Sequence, residues 1–350
     1  MHQQYGKLST ALIIQKKSFF DENEKHIIKQ REISKVYIRQ SERKLCKNCG
    51  KELSSISDFT KDKISYKICS ICTHLNGSFE DSDEFCEFVY ANNDGKSYAQ
   101  NYHSQNLENY NYRVSSIYIP KAEFLYTSLK NIDENPNALK YLDFGSGAGY
   151  FVSALSKIGI QNIKGFEVSK SQVELGNKML GKDFLSVHSL KESEKILSET
   201  RANVISMIGV LEHLQHPRKA IESILKNDNI KYLYISVPLF SLSVYLEMFS
   251  DDVYHRQLHG GHTHLYTEES LKYLSTEFEL EIVSEWWFGT DIVDLYRNLL
   301  INLEAKNVSD NLKSHYKKMM SSFMDLIQLE IDKKHYSSEV HMVLKKKCNV

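Results

Sequence analysis

One segment constrains the fold of this chain more than any other. Residues 141–150 read YLDFGSGAGY, which is an apolar run ending near an acid, three alternating glycines, and the start of an amphipathic segment. Glycines let a backbone turn sharply and approach a ligand closely, and the helix that follows has unpaired amides at its N-terminus. The segment therefore predicts a strand, loop and helix unit that binds a nucleotide-like cofactor.

Strand and helix patterns alternate around this loop. We predict strands near residues 139–144, 163–167, 184–187, 204–208, 232–237, 280–286 and 339–344, and helices near 122–130, 150–158, 171–179, 217–225 and 268–277. This alternation favours an α/β fold with a Rossmann-like, mostly parallel, seven-stranded sheet flanked by helices. A charged helical insertion at about 291–334 precedes the last strand, which we expect at a sheet edge.

Changes of composition divide the chain. We expect an N-terminal helical arm at 1–44, a cysteine module at 45–77, an aromatic linker or lid at 78–121, and the α/β domain at 122–350. The linker contains four tyrosines, Tyr98, Tyr102, Tyr110 and Tyr112. We expect them to pack the two domains together; stacking on a sugar or a base is the alternative.

The overall charge excludes little by itself. The 350 residues include 44 Lys and Arg against 45 Asp and Glu, a formal net charge of -1, which disfavours nucleic acid and anionic membranes as partners. The start of the chain lacks the apolar run of a signal peptide, and no stretch is apolar enough for a membrane span. We therefore expect a soluble, cytoplasmic protein without a membrane partner.

Four cysteines occur as two pairs. Cys46 and Cys49, then Cys69 and Cys72, form two CxxC motifs separated by nineteen residues. Two such pairs at this distance fit a four-thiolate zinc site, which is closed and therefore structural. A single CxxC motif could also be a redox site or a chance occurrence. Cys86 and Cys348 have no such partners and are expected to be ordinary thiols.

The spacing of the glycines distinguishes between classes of nucleotide-like cofactor. A dinucleotide fingerprint has the pattern GxGxxG, whereas here Gly149 comes one residue early and Asp143 precedes the first glycine. An acid at that position suits a positively charged ligand better than a pyrophosphate. Glu167 ends the next predicted strand, where an acid can bind ribose hydroxyls, or can simply face solvent.

These motifs resemble those of the class I S-adenosylmethionine-dependent methyltransferases. Residues 143–149 look like their first motif and 165–169 like their second, while 204–217, VISMIGVLEHLQHP, is similar to a stretch after the fourth strand in a small-molecule branch. The resemblance implies S-adenosyl-L-methionine as cofactor, bound by Asp143, Gly145, Ser146, Gly147, Gly149, Glu167, Val168 and Gly209. Asn203, where the family usually has Asp, and residues 187–189 depart from the pattern and leave the adenine contacts open.

The cysteine module adds a narrower resemblance. Paired cysteines, an aromatic linker and this core are similar to the sugar C-methyltransferases, which carry an N-terminal zinc-binding domain. In those enzymes a loop after the fifth strand supplies a base through a Glu-His motif. Here residues 259–267 read HGGHTHLYT, with histidines but without that glutamate, so C-methylation does not follow.

Three histidines are candidates for the chemistry, because the ordinary pKa of histidine lies near neutral pH. His213 follows the fourth predicted strand of the core, and His262 and His264 lie in the loop at 259–267. Each histidine could also have another role. His213 could cap the next helix, and the histidines of the loop could be exposed to solvent or bind a second metal ion. Glu212 and Tyr266 are weaker candidates.

The resemblance implies a methyltransferase acting on a small polar acceptor, such as a sugar or nucleotide-linked sugar. One alternative is an RNA methyltransferase whose cysteine module binds RNA; a non-catalytic scaffold and a nicotinamide-dependent oxidoreductase are others. The RNA alternative depends on a local group of basic residues, Lys44, Lys47, Lys51, Lys61, Lys63 and Lys67. The oligomeric state stays open.

Overall fold

The computed structural model describes residues 1–15, 17–91, 106–258 and 261–347. The strands in these ranges are β1 (His2–Tyr5), β2 (Phe59–Lys61), β3 (Ile64–Ile68), β4 (Leu75–Gly77), β5 (Tyr141–Phe144), β6 (Ile163–Glu167), β7 (Leu185–Val187), β8 (Val204–Ile208), β9 (Tyr232–Pro238), β10 (His264–Leu265), β11 (Leu280–Phe288) and β12 (Glu339–Lys346).

The helices in the same ranges are α1 (Ser9–Gln15), α2 (Lys17–Asp21), α3 (Asn23–Tyr37), α4 (Asp83–Cys86), α5 (Leu107–Arg113), α6 (Ile119–Lys130), α7 (Tyr150–Lys157), α8 (Lys170–Leu180), α9 (Ser193–Glu199), α10 (Pro217–Lys226), α11 (Leu242–Phe249), α12 (Glu268–Glu277), α13 (Asp291–Ala305), α14 (Asp310–Ser321) and α15 (Met324–Lys333). A π-helical stretch follows α4 at Glu87–Ala91 and α5 at Val114–Tyr118. Single 3₁₀ turns lie at Pro136–Ala138, Leu190–Glu192 and Leu211–His213.

Eight of the described strands form one large sheet, in the order β1-β11-β12-β9-β8-β5-β6-β7. Strand β12 runs antiparallel to both neighbours, whereas the other adjacent pairs are parallel. The predicted α/β fold with a mostly parallel sheet is confirmed. The strand order reverses between β5 and β8, and ligands bind at the carboxyl ends of strands beside such a switch point.

Two features of the sheet differ from expectation. The seven predicted strands are present, but residues 2–5 pair with 284–287 of β11 and add an eighth, so the N-terminal arm is not helical throughout. The expected edge position of β12 was wrong, because β12 pairs on one side with β9 and on the other with β11. Its residues 340–344 are buried and, apart from His341, apolar, as expected for a strand inside a sheet.

The two faces of this sheet carry separate cores. Alternate residues of a strand point to opposite faces, and β11 uses this to place one tryptophan in each core. Trp286 packs with Phe124 on one face, and Trp287 lies in the cluster of Leu211 and Tyr266 on the other. The site described below lies at the carboxyl ends of the strands between these cores.

A second, antiparallel sheet joins the cysteine module to the α/β domain. Its order is β10-β4-β3-β2. Strands β2, β3 and β4 come from the cysteine module, while β10 comes from the histidine loop, with His264 opposite Asn76 and Leu265 opposite Leu75. The module therefore shares a sheet with the domain that follows it in sequence.

The expected insertion consists of helices α13, α14 and α15. They enclose a small core that includes Ile292, Tyr316 and Met320. Buried Asp291 ties α13 to the sheet, since its carboxylate accepts hydrogen bonds from Oγ of Ser241 at 2.6 Å and from the backbone N–H of Ser338 at 2.9 Å. Among the described residues, no helix combines the length and apolar character that crossing a bilayer requires.

Candidate functional site

The glycine-rich loop connects β5 to α7. Gly145 has a φ of +73°, and a Cβ atom there would lie 2.6 Å from Cγ2 of Val210, so the position requires glycine for both its conformation and its space. The backbone N–H groups of Gly145 and Ser146 donate to the carbonyl of Phe166 at 2.8 and 3.0 Å. These bonds hold the loop against the end of β6, and the Val210 contact places the loop after β8 beside it.

Glu167 closes the loop from the end of β6. Its carboxylate accepts hydrogen bonds from the backbone N–H of Gly147 at 2.8 Å, of Val168 at 2.9 Å and of Ser169 at 3.0 Å. Three charge-assisted bonds to backbone amides fix this side chain before any ligand arrives. Glu167 is thus buried in the loop structure and is not a solvent-facing strand end.

Asp143 and Ser146 form the polar floor of the loop. Oγ of Ser206 donates to Oδ1 of Asp143 at 2.7 Å, and burial of this carboxyl raises its pKa to about 7. Oγ of Ser146 is buried and has no hydrogen-bond partner among the described residues. A bound ligand or an ordered water can supply the missing partner of such a group.

The eight predicted cofactor residues come together at the carboxyl ends of three adjacent strands, β5, β6 and β8. Gly209, after β8, donates its N–H to Oγ of Ser236 at 3.0 Å. In the region where the adenine contacts were left open, the ring of His188 packs 5.2 Å from that of Phe144, and burial lowers the pKa of His188.

His213 lies in the 3₁₀ turn after β8, and its hydrogen bonds define its tautomer. The hydroxyl of Tyr90 donates to the carbonyl of Gly261 at 3.0 Å, so its oxygen accepts from Nδ1 of His213 at 2.9 Å. The proton is therefore on Nδ1, and the lone pair of the neutral ring is on Nε2. Burial lowers the pKa of His213 to about 4, which keeps the ring neutral.

His262 and Glu212 complete a cluster with His213. The His262 ring centre lies 4.8 Å from that of His213, and Nδ1 of His262 donates to the carbonyl of Gln257 at 3.0 Å. Oε1 of Glu212 lies 3.8 Å from Nε2 of His213, and burial raises the pKa of Glu212 to about 8. The sequence ranked Glu212 low, and nothing in it singled out Tyr90 or Gln257.

The third predicted histidine lies elsewhere. His264 is fully buried in β10, where its Nδ1 is 2.8 Å from Nε2 of His74 in the cysteine module. The structure therefore brings His213 and His262 together and places His264 in the contact between the histidine loop and the cysteine module. Tyr266 is also buried in a core cluster, and His259 lies outside the described residues.

The four paired cysteines meet in one buried cluster. Each is at most 3% exposed, and the Sγ atoms of Cys46 and Cys72 lie 3.7 Å apart while those of Cys49 and Cys69 lie 3.5 Å apart. Sulfurs around tetrahedral zinc, at about 2.3 Å from the metal, are about 3.8 Å from one another. The donor set and its spacing fit a four-thiolate zinc site.

Residues around this cluster connect it to the α/β domain. The side chain of Asn76 donates to Sγ of Cys46 at 3.5 Å, and Asn48 donates to the carbonyl of Ser270 at the start of α12 at 2.8 Å. Arg218 of α10 donates to the carbonyl of Asn48 at 2.6 Å and pairs with Glu277. The module is thus held against α10 and α12.

The linker tyrosines have different surroundings. Tyr110 stacks on Tyr150 with ring centres 4.8 Å apart and donates to the carbonyl of Ala148 at 3.1 Å, so it packs on the α/β domain at the glycine loop. Tyr112 is 41% exposed. Tyr98 and Tyr102 lie outside the described residues, as does Cys348, and Cys86 is buried away from the cysteine cluster.

The large sheet is mostly parallel. Asp143 lies near the end of β5 and is followed by the three glycines, Glu167 is the last residue of β6, and a polar loop follows β8. This is the arrangement that the resemblance to S-adenosylmethionine-dependent methyltransferases implies. Residues 112–285 match the family model of a methyltransferase domain. These residues therefore form a methyltransferase domain. No curated protein matches the chain significantly.

Solved methyltransferase structures are similar to the chain at low identity. The methyltransferase domain of bacterial CtHen1-C is 16% identical, with 69% of this chain and 100% of that chain covered and a TM-score of 0.42. The plantazolicin methyltransferase BpumL, in complex with SAH, is 14% identical, with 75% and 94% covered and a TM-score of 0.46.

Proposed function

We propose that the protein transfers the methyl group of S-adenosyl-L-methionine to an oxygen of a small polar acceptor. The cofactor binds over the glycine loop, with Glu167 holding the ribose hydroxyls and Asp143 favouring the positive charge of the sulfonium cofactor. Two observations support this assignment. The carboxylate of Glu167 is already held in place by backbone N–H groups, and Oγ of Ser146 is buried without a hydrogen-bond partner among the described residues.

One observation carries the proposal for the acceptor. The contact of Gly145 with Val210 joins the cofactor loop to the loop that contains Glu212 and His213. An acceptor at this junction lies between the cofactor and the ring nitrogens of His213 and His262. Methyl transfer is a displacement that mainly requires this juxtaposition.

The proposed reaction balances without a further reagent. The acceptor oxygen forms a bond to the methyl carbon as the bond from that carbon to sulfur breaks, which converts the sulfonium to the thioether S-adenosylhomocysteine. The hydroxyl proton leaves to a base at the cluster or to solvent. We expect sugars and nucleotide-linked sugars as the first acceptors to test, on the resemblance of the paired cysteines and core to sugar methyltransferases.

We also propose that Cys46, Cys49, Cys69 and Cys72 bind a structural zinc ion. The thiolate spacing supports this, and Asn76 supports Cys46 from outside the metal shell. When bound, the zinc cross-links the module and leaves no coordination position for a substrate.

The charges of the cysteine module disfavour RNA as the acceptor. Lys47 is buried and pairs with Asp81, Lys61 pairs with Asp251 at 2.6 Å, and Lys67 is buried with a contact to Glu42 at 3.2 Å. Three of the six lysines that suggested an RNA surface therefore form ion pairs within the protein. An RNA-binding face needs basic groups presented to phosphates.

The test is calorimetric titration with S-adenosylmethionine, followed by a methyl-transfer assay with nucleotide-linked sugars. We expect micromolar binding that Gly147→Arg abolishes, because the φ of +53° disfavours a side chain there and a long charged group would lie in the loop proposed to hold the cofactor. Folded, zinc-loaded protein that binds no cofactor would instead support a scaffold. Binding without transfer to any small acceptor would reject the proposed acceptor class.

A further inference from the structure

Glu212, His213 and His262 form a second group of potential metal ligands, separate from the cysteines. One ligand atom from each lies within 4.8 Å of the other two. Glu212 and His213 follow β8, whereas His262 comes from the loop before β10. We propose that these three side chains bind a divalent metal cation, and that this cation holds the acceptor hydroxyl. The second part rests on the proposed function, while the first does not.

The hydrogen bonds of the two histidines are those of metal ligands. A coordinating histidine usually donates its other ring N–H to a carbonyl or similar acceptor, which orients the ring. His213 donates from Nδ1 to the hydroxyl oxygen of Tyr90 at 2.9 Å, and His262 donates from Nδ1 to the carbonyl of Gln257 at 3.0 Å. In both neutral rings the lone pair for a metal is therefore on Nε2.

Glu212 supplies an independent observation. Its side chain is 3% exposed, and Oε2 is buried without a hydrogen-bond partner among the described residues. A buried carboxyl oxygen without a hydrogen-bond partner is unfavourable, because the lost contact with water is not replaced. Its other oxygen lies 3.8 Å from Nε2 of His213, so the unpaired group belongs to this cluster. A bound cation would supply the missing partner.

The donor set indicates the class of metal. Two imidazoles and one carboxylate form a facial set that leaves positions open for other ligands, and they suit first-row divalent ions such as Mn²⁺, Fe²⁺, Co²⁺ and Zn²⁺. Two ligands at about 2.1 Å from a tetrahedral metal lie about 3.4 Å apart. The 3.8 Å separation of Oε1 of Glu212 and Nε2 of His213 is therefore within reach of small side-chain rotations.

The open positions give the cation a role in the proposed reaction. A hydroxyl bound to a divalent ion loses its proton more readily, because the charge of the ion stabilises the oxygen anion. The imidazoles then act as ligands, and the hydroxyl proton passes to solvent before the oxygen attacks the methyl group. Val210, two residues before Glu212, lies against Gly145, so the start of the loop that holds this cluster is next to the cofactor loop.

The experiment is a titration with Mn²⁺ alone of full-length protein that elemental analysis shows to contain one zinc per chain, so that the four thiolates are filled and the second site is not. The electron paramagnetic resonance signal of free Mn²⁺ measures the binding. Manganese prefers nitrogen and oxygen ligands, so it does not compete for the four thiolates. We expect one Mn²⁺ per chain, and at least about tenfold weaker binding in Glu212→Gln and in His262→Ala. His216→Asn is the matched control, since this exposed histidine lies three residues after His213 and should bind Mn²⁺ as the unaltered protein does.

Circular dichroism checks that each variant is folded, and Glu212→Gln carries the test if His262→Ala is not. Folded protein that binds no Mn²⁺, or Glu212→Gln that binds it unchanged, would overturn the proposal. Methyl transfer by protein that binds no metal would reject this inference alone. Mn²⁺ binding without transfer to any acceptor would reject the proposed function and retain the metal site.

Discussion

Nε2 of His74 lies 2.8 Å from Nδ1 of His264, and both side chains are fully buried. His74 follows the second cysteine pair, whereas His264 belongs to β10 of the histidine loop. Burial lowers the pKa of both rings well below the ordinary value, so they are neutral and share a single proton along this bond. The pair joins the cysteine module to the loop that contains His262.

We predict that His264→Leu lowers stability without changing cofactor binding. The substitution leaves a buried ring nitrogen of His74 unpaired, which costs about 1–3 kcal/mol of unfolding free energy. Urea denaturation measures this loss, and calorimetry should find an S-adenosylmethionine affinity within about threefold of the unaltered protein, since one such hydrogen bond lies outside the glycine loop. Unchanged stability with lost cofactor binding would contradict the prediction.

Zinc analysis provides the second prediction. Elemental analysis should find about one zinc per chain, and Cys72→Ser should lose it, because a four-thiolate site depends on every ligand. Cys86→Ser is the control, since Cys86 is buried but lies outside the cluster, and it should retain zinc. We also expect Cys72→Ser to unfold at lower temperature, as β4 pairs with β10. Zinc retained in Cys72→Ser would show that the cluster is not the site.

Alanine substitutions at two glycines with similar φ angles distinguish the cost of the left-handed backbone from the cost of a steric clash. Gly145→Ala puts a Cβ 2.6 Å from Val210 at a φ of +73°, whereas Gly181→Ala has a φ of +68° and nothing within 4 Å. The left-handed conformation should cost each variant about 1–2 kcal/mol. Overpacking should add about 1–3 kcal/mol for Gly145→Ala only. Thermal unfolding measures the difference, and equal losses would remove the steric argument.

The pH dependence of cofactor binding tests Asp143. Burial raises the pKa of its carboxyl to about 7, and a positively charged ligand favours the ionised form. Affinity for S-adenosylmethionine should therefore increase between pH 6 and pH 8 by up to about tenfold per pH unit below the pKa. Calorimetry of Asp143→Asn should show this increase abolished. The same pH dependence in the variant would assign it to another group.

The raised pKa of Asp143 also affects the stability of the ligand-free protein, which should decrease with rising pH while cofactor affinity increases. Asp143 ionises near the ordinary pKa of 3.8 when the chain is unfolded and only at about 7 when it is folded. The folded state therefore binds more protons between these values, and its stability falls as the pH rises from about 4 to about 7. Asp143→Asn should reduce this slope in urea denaturation.

Local patterns in the sequence determined much of the fold. Strands at Ile163–Glu167 and Val204–Ile208, and the helix at Glu268–Glu277, lie where the alternation predicted them, because periodicity and capping act between neighbours in the chain. The glycine loop, the class of protein and the four-cysteine cluster also follow from short motifs, since each motif carries its chemistry within a few residues.

Tertiary structure alone decided which distant residues meet. The sequence offered no carboxylate partner for His262, yet Glu212, fifty residues earlier, lies in its cluster. It also could not distinguish His264 from His262, which are separated by one residue; strand β10 turns the first toward His74, while the second faces His213. Contacts of this kind depend on how strands and loops pack across the whole chain, and no local periodicity records them.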